Sequence, residues 1–200
     1  MKRLVYLISP NKIYSDFYKD LEKVLSSKKV FFFQLRLKNK SKTLIIKIAR
    51  KIKKITRKHK VKLIINDDSK LAKKIGADGC HIGQLDNTVV SARKNIKKKI
   101  IGVTCHNSRE LALKASKDKA DYLAFGSFFK SRLKPGAKKA DLRILLWAKK
   151  KIKKPIVVIG GINDKNYKKL IKAGANYIAI STFIWNNPFL KPEVAIKKFK

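Results

Sequence analysis

Carboxylates are scarce in this chain: 13 Asp and Glu stand against 51 Lys and Arg in 200 residues, a formal net charge of +38. Such a field admits RNA, DNA or an anionic membrane as partner. The lysines, however, follow the polar faces of predicted helices, as between Lys42 and Lys62, and form no single basic block. A solvated lysine-rich surface is therefore expected rather than a nucleic-acid footprint, with a positive potential that draws small anionic substrates inward. Cysteine is nearly absent: Cys80 and Cys105 show no CxxC spacing, which excludes a zinc framework of that type and fits free thiols in a reducing cytoplasm. No apolar run is long enough to span a bilayer. The stretch Met1–Pro10 is too short for a signal peptide or a membrane helix and reads as a first strand, so no membrane partner is expected. Neither GxGxxG nor GxxxxGK[ST] follows any apolar run, and no linker or low-complexity segment divides the chain. One domain spanning 1–200 is expected, with the oligomeric state left open.

What is present is a regular alternation. Short β-rich runs at 4–8, 30–35, 61–65, 78–82, 100–103, 121–125, 155–159 and 177–180 are separated by helical patterns at 16–25, 44–55, 68–75, 88–97, 108–117, 141–151 and 164–173. Leu44, Ile45, Ile48, Ile52 and Ile55 keep helical spacing with lysines opposite. Three segments share one design: Gly76-Ala77-Asp78, Lys119-Ala120-Asp121 and Gly174-Ala175-Asn176 each stop a helix, turn tightly and start a buried strand. Eight strands alternating with helices predict an α/β fold, a (β/α)8 TIM barrel in a single domain. An open doubly wound sheet is the alternative.

The polar residues just past the strand ends carry the chemistry. Asp67 and Asp86 follow strands three and four, and adjacent strands lie ~5 Å apart, so both carboxylates reach one hard cation. Asp68 is the more natural helix cap, which leaves Asp67 free; the competing reading makes Asp67 the cap and Asp86 a turn residue. Gln34, Arg36 and Lys38 alternate along the end of strand two and share one side, with Leu35 and Leu37 on the other. Arg offers a planar fork to phosphate and Lys a point charge. After strand six, residues 125–136 form a polar, basic loop long enough to cover a ligand. Gly160-Gly161 and Ser181-Thr182 end strands seven and eight, where barrels bind phosphate through backbone N–H groups; a plain turn is the other reading. Of the three histidines, His59 on a helix end reads as inert, His81 lies within strand four as an inward-facing or a satisfied core side chain, and His106 follows strand five, where an acid or base role is one reading and an inert residue the other.

These motifs, in this order, resemble those of the thiamine-phosphate synthase family. Gln34-Leu35-Arg36-Leu37-Lys38 matches its Q-L-R-x-K, Asn66-Asp67-Asp68 its I-N-D, and His81-Ile82-Gly83-Gln84-Leu85-Asp86 its H-[LI]-G-Q-x-D. Gly102-Val103-Thr104-Cys105-His106 is similar to G-V-S-x-H, and Gly160-Gly161-Ile162 to G-G-I. The resemblance implies a (β/α)8 enzyme that joins hydroxymethylpyrimidine pyrophosphate to thiazole phosphate, releasing pyrophosphate. By that resemblance, Asp67 and Asp86 hold Mg2+, while Arg36, Lys38 and Lys134 serve the departing pyrophosphate. Gln34, Asn66, His81 and Thr104 bind the pyrimidine pyrophosphate; Ser131, Gly161, Ser181 and Thr182 take the thiazole phosphate. Electrostatic neutralisation of pyrophosphate, rather than a side-chain nucleophile, then drives the step. One stretch departs: the family's P-T-x-T-K loop reads Lys130-Ser131-Arg132-Leu133-Lys134, and Leu133 has no hydroxyl to donate. A thiazole tautomerase-like isomerase, using His106, and a basic RNA-associated protein are the alternatives.

Overall fold

The computed structural model describes residues 3–129 and 139–200. Eight parallel strands close into a barrel in chain order. They are β1 (Val5–Ile8), β2 (Val30–Leu35), β3 (Lys62–Asn66), β4 (Gly79–Ile82), β5 (Ile100–His106), β6 (Tyr122–Phe125), β7 (Ile156–Ile159) and β8 (Tyr177–Ile180). The helices between them are α1 (Phe17–Ser26), α2 (Lys42–Lys58), α3 (Ser69–Ile75), α4 (Val89–Ile96), α5 (Arg109–Lys117), α6 (Leu142–Lys151) and α7 (Tyr167–Lys172). The closed order replaces the open doubly wound alternative. Among the described residues no helix is long and apolar enough to cross a membrane.

Side-chain alternation divides the core in two. One face of each strand packs outward on the helices, as Leu35, Leu63, Cys80, Ile101 and Val158 do. The other fills the barrel, where Tyr6, Phe32, Ile64, Tyr122, Ala124, Val157 and Ala179 cluster. Both thiols are buried, and burial pushes each up to about 12, so neither is reactive at neutral pH. On α2, Ile48, Ala49, Ile52 and Thr56 are buried while lysines ring the other side, as the helical spacing predicts.

Helix starts at the upper rim are capped. Ser41 accepts from the Leu44 N–H, Asp68 from Leu71, Thr88 from Ser91 and Ser108 from Leu111. At the lower rim the three echoed turns are one device. The Asp78, Asp121 and Asn176 side chains accept the N–H of Leu63, Ile101 and Ile156, each at 2.8 Å. Their own N–H groups donate back to the carbonyls of the same residues at 2.9, 2.7 and 2.8 Å. Each turn residue therefore extends the parallel ladder by one side chain.

Three differences from the sequence reading have local causes. Strand five runs on to His106, with a register shift against β6 between Thr104 and His106. Helix α7 starts at Tyr167 instead of 164, because Asn163 Oδ1 accepts the Lys165 and Asn166 N–H groups and holds those residues in a turn. After β8 two unanticipated short helices appear, α8 (Thr182–Trp185) and α9 (Pro192–Ala195). They seal the β8–β1 seam: Trp185 Nε1 donates to the Ile8 carbonyl at 2.6 Å.

Candidate active site

The barrel interior is apolar below and polar above. Phe32, Ile64 and Tyr122 fill the lower part, and the same parity carried toward the strand ends delivers Gln34, Asn66, His81 and Thr104. That end is where barrel enzymes place their chemistry.

Asp67 is the first residue past β3. Its φ of 64° puts a non-glycine residue in the left-handed region, and its N–H donates to the His81 carbonyl at 2.7 Å. Strain of this kind persists only where the surroundings hold it. Asp68 makes the cap, accepting from Leu71 N–H at 2.8 Å and pairing with Lys42 at 3.0 Å, so Asp67 is free to face the mouth. Asp86, in the loop after β4, accepts the Gly83 N–H at 2.7 Å. The two carboxyl groups meet: burial, then a hydrogen bond to Asp86 and its like charge, push Asp67 up to about 6, against the pull of Lys38 and Arg36. Two like-charged carboxyls brought together make a place where a hard divalent cation fits. Among the described residues no third acidic, His or Cys group joins them, so water and ligand oxygens would complete the shell, the usual manner of Mg2+.

The expected cations are at hand. Arg36 and Lys38 both act on the Asp67 carboxyl, and no ion pair among the described residues engages either. Lys38 lines a cleft of about 280 Å³ with Asn66 and Asp67, and its apolar wall is Leu35, Leu37, Ile65 and Leu71 on the helix-facing side of β2 and β3. The exit of β2 is strapped to that of β1, because Arg36 N–H donates to Ser9 Oγ at 3.0 Å. At the end of strand two Leu35 and Leu37 pack outward against the helices, whereas Gln34 turns inward and is buried.

At strands seven and eight, Gly160 has φ 103° and Gly161 φ 61°. A Cβ on Gly160 would lie 1.9 Å from Ser127 Oγ, so glycine there lets the strand-six exit run against β7. Ser181 Oγ donates to the Ser9 carbonyl at 3.1 Å, which turns its hydroxyl hydrogen toward the barrel seam. Thr182 opens α8. Ser131 and Lys134 lie outside the described residues. His106 is exposed with φ 52°, and no described side chain bonds to it. His59 ends α2 as its C-cap and lies 3.8 Å from Glu22.

His81 points into the barrel, and both its ring nitrogens have protein partners. Nδ1 is 2.9 Å from Tyr122 Oη and Nε2 2.8 Å from Thr104 Oγ1, so both nitrogens are satisfied inside the protein. Burial lowers its pKa to about 4, which keeps the ring neutral. Tyr122 Oη is in turn 2.7 Å from Tyr6 Oη, to which Gln34 Nε2 donates at 2.8 Å. Burial raises both phenols well above their ordinary value. Sequence reasoning missed Tyr6 and Tyr122. A signal existed in Gly102, because glycine inside a strand marks a close approach.

Comparison with known proteins follows the same lines. The family model described as thiamine monophosphate synthase matches residues 5–184. A thiamine-phosphate synthase of Pelagibacter ubique (strain HTCC1062) is 57% identical over 200 residues, covering 100% of this chain and 97% of that protein. One from Erythrobacter litoralis (strain HTCC2594) is 38% identical over 187 residues, covering 91% and 88%. The solved thiamine phosphate pyrophosphorylase from Pyrococcus furiosus superimposes with a TM-score of 0.87 at 26% identity, covering 98% of this chain and 93% of that one.

Proposed function

Because the chain belongs to the thiamine monophosphate synthase family, we propose that Asp67, Asp86, Arg36 and Lys38 form the pyrophosphate end of its active site. The enzyme is a transferase that joins hydroxymethylpyrimidine pyrophosphate to thiazole phosphate, giving thiamine phosphate and pyrophosphate. The observation that supports the site assignment is the approach of the Asp67 and Asp86 carboxyls, with Arg36 and Lys38 both acting on Asp67.

The chemistry suits such a site. The bond between the pyrimidine methylene and the pyrophosphate oxygen breaks with both electrons leaving on oxygen. The amino-substituted ring supports the positive charge, and the thiazole nitrogen lone pair closes the new bond. Nothing in this needs a protein nucleophile; it needs negative charge stabilised on the leaving group. Arg36 and Lys38, with Lys134 from the strand-six loop, supply that. Asp67 and Asp86 would hold Mg2+, which when bound adds its own charge against the pyrophosphate oxygens. Gln34, Asn66 and Thr104 face the pyrimidine, and His81 reaches it only through Thr104. The thiazole phosphate falls to Gly161, Thr182 and Ser131, with Ser181 offering its backbone N–H since its hydroxyl already bonds Ser9. Small phosphorylated substrates in a one-domain cytoplasmic enzyme complete the reading.

The test is direct. Pure protein, both phosphorylated halves and Mg2+ should yield thiamine phosphate, and Asp86→Ala should abolish that yield while the far-UV spectrum stays native. A folded Asp86→Ala variant that turns over normally removes the metal assignment.

A further inference from the structure

The barrel holds an unbroken line of side-chain hydrogen bonds that the reaction as described does not use. It runs from Gln34 Nε2 to Tyr6 Oη at 2.8 Å, on to Tyr122 Oη at 2.7 Å, to His81 Nδ1 at 2.9 Å, and from Nε2 to Thr104 Oγ1 at 2.8 Å. Each middle member has a single hydrogen and passes it one way only. An amide nitrogen donates and never accepts, so Tyr6 receives there and gives its own hydrogen to Tyr122. With that polarity Tyr122 would donate to Nδ1, His81 would carry its hydrogen on Nε2, and Thr104 would accept it. The Thr104 hydroxyl hydrogen is thereby turned away from His81. With its nitrogen anchored on Tyr6, the Gln34 amide presents Oε1 on its other branch.

Two further observations show that the fold makes room for this line. A Cβ on Gly102 would lie 1.9 Å from Tyr122 Cζ and 2.3 Å from its hydroxyl oxygen, so the Tyr122 ring occupies the volume of any side chain at that position. The same ring lies almost parallel to the His81 imidazole, with centroids 5.6 Å apart and planes 13° apart.

We infer that Tyr122 and Tyr6 are positioning residues for the transfer reaction: their hydroxyls fix one His81 tautomer and orient Gln34 as acceptor and Thr104 as donor toward an amino-substituted heteroaromatic ring. The identity of that ring rests on the function proposed above; the tautomer does not.

Tyr122→Phe keeps the ring over Gly102 and removes only the hydroxyl. Long-range proton–nitrogen NMR on ligand-free protein at neutral pH, assigned with His81→Asn, reads the tautomer. Wild type should show His81 with hydrogen on Nε2 alone, and Tyr122→Phe a mixture of both forms. In the same variant the KM for pyrimidine pyrophosphate should rise about tenfold, while the KM for thiazole phosphate and the Mg2+-dependent binding of inorganic pyrophosphate stay put. Tyr6→Phe cuts the line upstream, so it should likewise release the tautomer to a mixture and raise the pyrimidine KM similarly, and it carries both tests if Tyr122→Phe fails to fold. Hydrogen on Nδ1 in wild type overturns the polarity. Wild-type kinetics in the folded variants overturn the positioning role. A protein without synthase activity that still shows the tautomer shift would refute the functional reading and leave the relay standing.

Discussion

Asp86→Asn should make the metal-free protein more stable at neutral pH while abolishing its response to Mg2+. The Asp67 carboxyl rises from 3.8 to about 6 through burial first and Asp86 second. A rise of roughly 2 units at about 1.4 kcal/mol each sets a ceiling near 3 kcal/mol. Asp67 is only half-buried, so solvent screening cuts that figure, and burial persists in the variant; Asp86's own share is about 1 kcal/mol. The sign follows from the direction of the shift. A raised carboxyl means the fold favours protonated Asp67, so this contribution is full below pH 4 and is lost as pH climbs through about 6. Asparagine keeps an oxygen for the Gly83 N–H and removes the like charge. Urea unfolding in EDTA at pH 5 and pH 7.5 should therefore show wild type losing more stability between the two than the variant does. Added Mg2+ should stabilise wild type in proportion to ligand occupancy and leave the variant unmoved. A variant that is less stable than wild type at pH 7.5 in EDTA, or one that Mg2+ stabilises equally, refutes the reasoning.

Other expectations follow from the same geometry. Arg36→Ala and Lys38→Ala should each lower kcat far more than they raise the KM for thiazole phosphate, as steady-state kinetics will read. His106→Ala should retain activity; a dead but folded variant would favour the isomerase alternative. Asp121→Ala removes the acceptor for the Ile101 N–H and the partner of Arg93 at 2.8 Å, at the end of the barrel away from the site. It should cost about 2 kcal/mol, a fall in Tm of roughly 4–8 °C, with unchanged kcat at 25 °C; Asp121→Asn should recover most of it.

Much of this architecture could be read in advance because strand and helix periods differ. The alternation of Gln34, Leu35, Arg36 and Leu37 assigned both faces of β2, and the Gly76 and Gly174 turns located helix ends where a left-handed residue is needed. Asp68 could be named as the cap because a cap precedes the helix directly. What escaped was contact across the barrel. Tyr6 and Tyr122 are 116 positions apart, and no local pattern joins them. His81 could be read as inward-facing, but its partner Tyr122 on β6 is not adjacent to β4 and only the closed barrel brings it near. The 163–166 turn was missed because side-chain bonds from Asn163 outcompete a helical start. The bond from the Ser181 hydroxyl to the Ser9 carbonyl was not legible either, because Ser9 belongs to the far end of the chain.

The central claim is that acidic side chains after β3 and β4 and basic ones after β2 meet on one ion-and-pyrophosphate pocket. Calorimetric titration of inorganic pyrophosphate into wild type and Asp67→Asn, with and without Mg2+, tests it most directly; at about 0.15 M salt the general surface field is screened beyond ~8 Å. The account predicts binding that requires Mg2+ in wild type and is lost in Asp67→Asn. Equal binding without the metal, or undiminished binding by the variant, would contradict it.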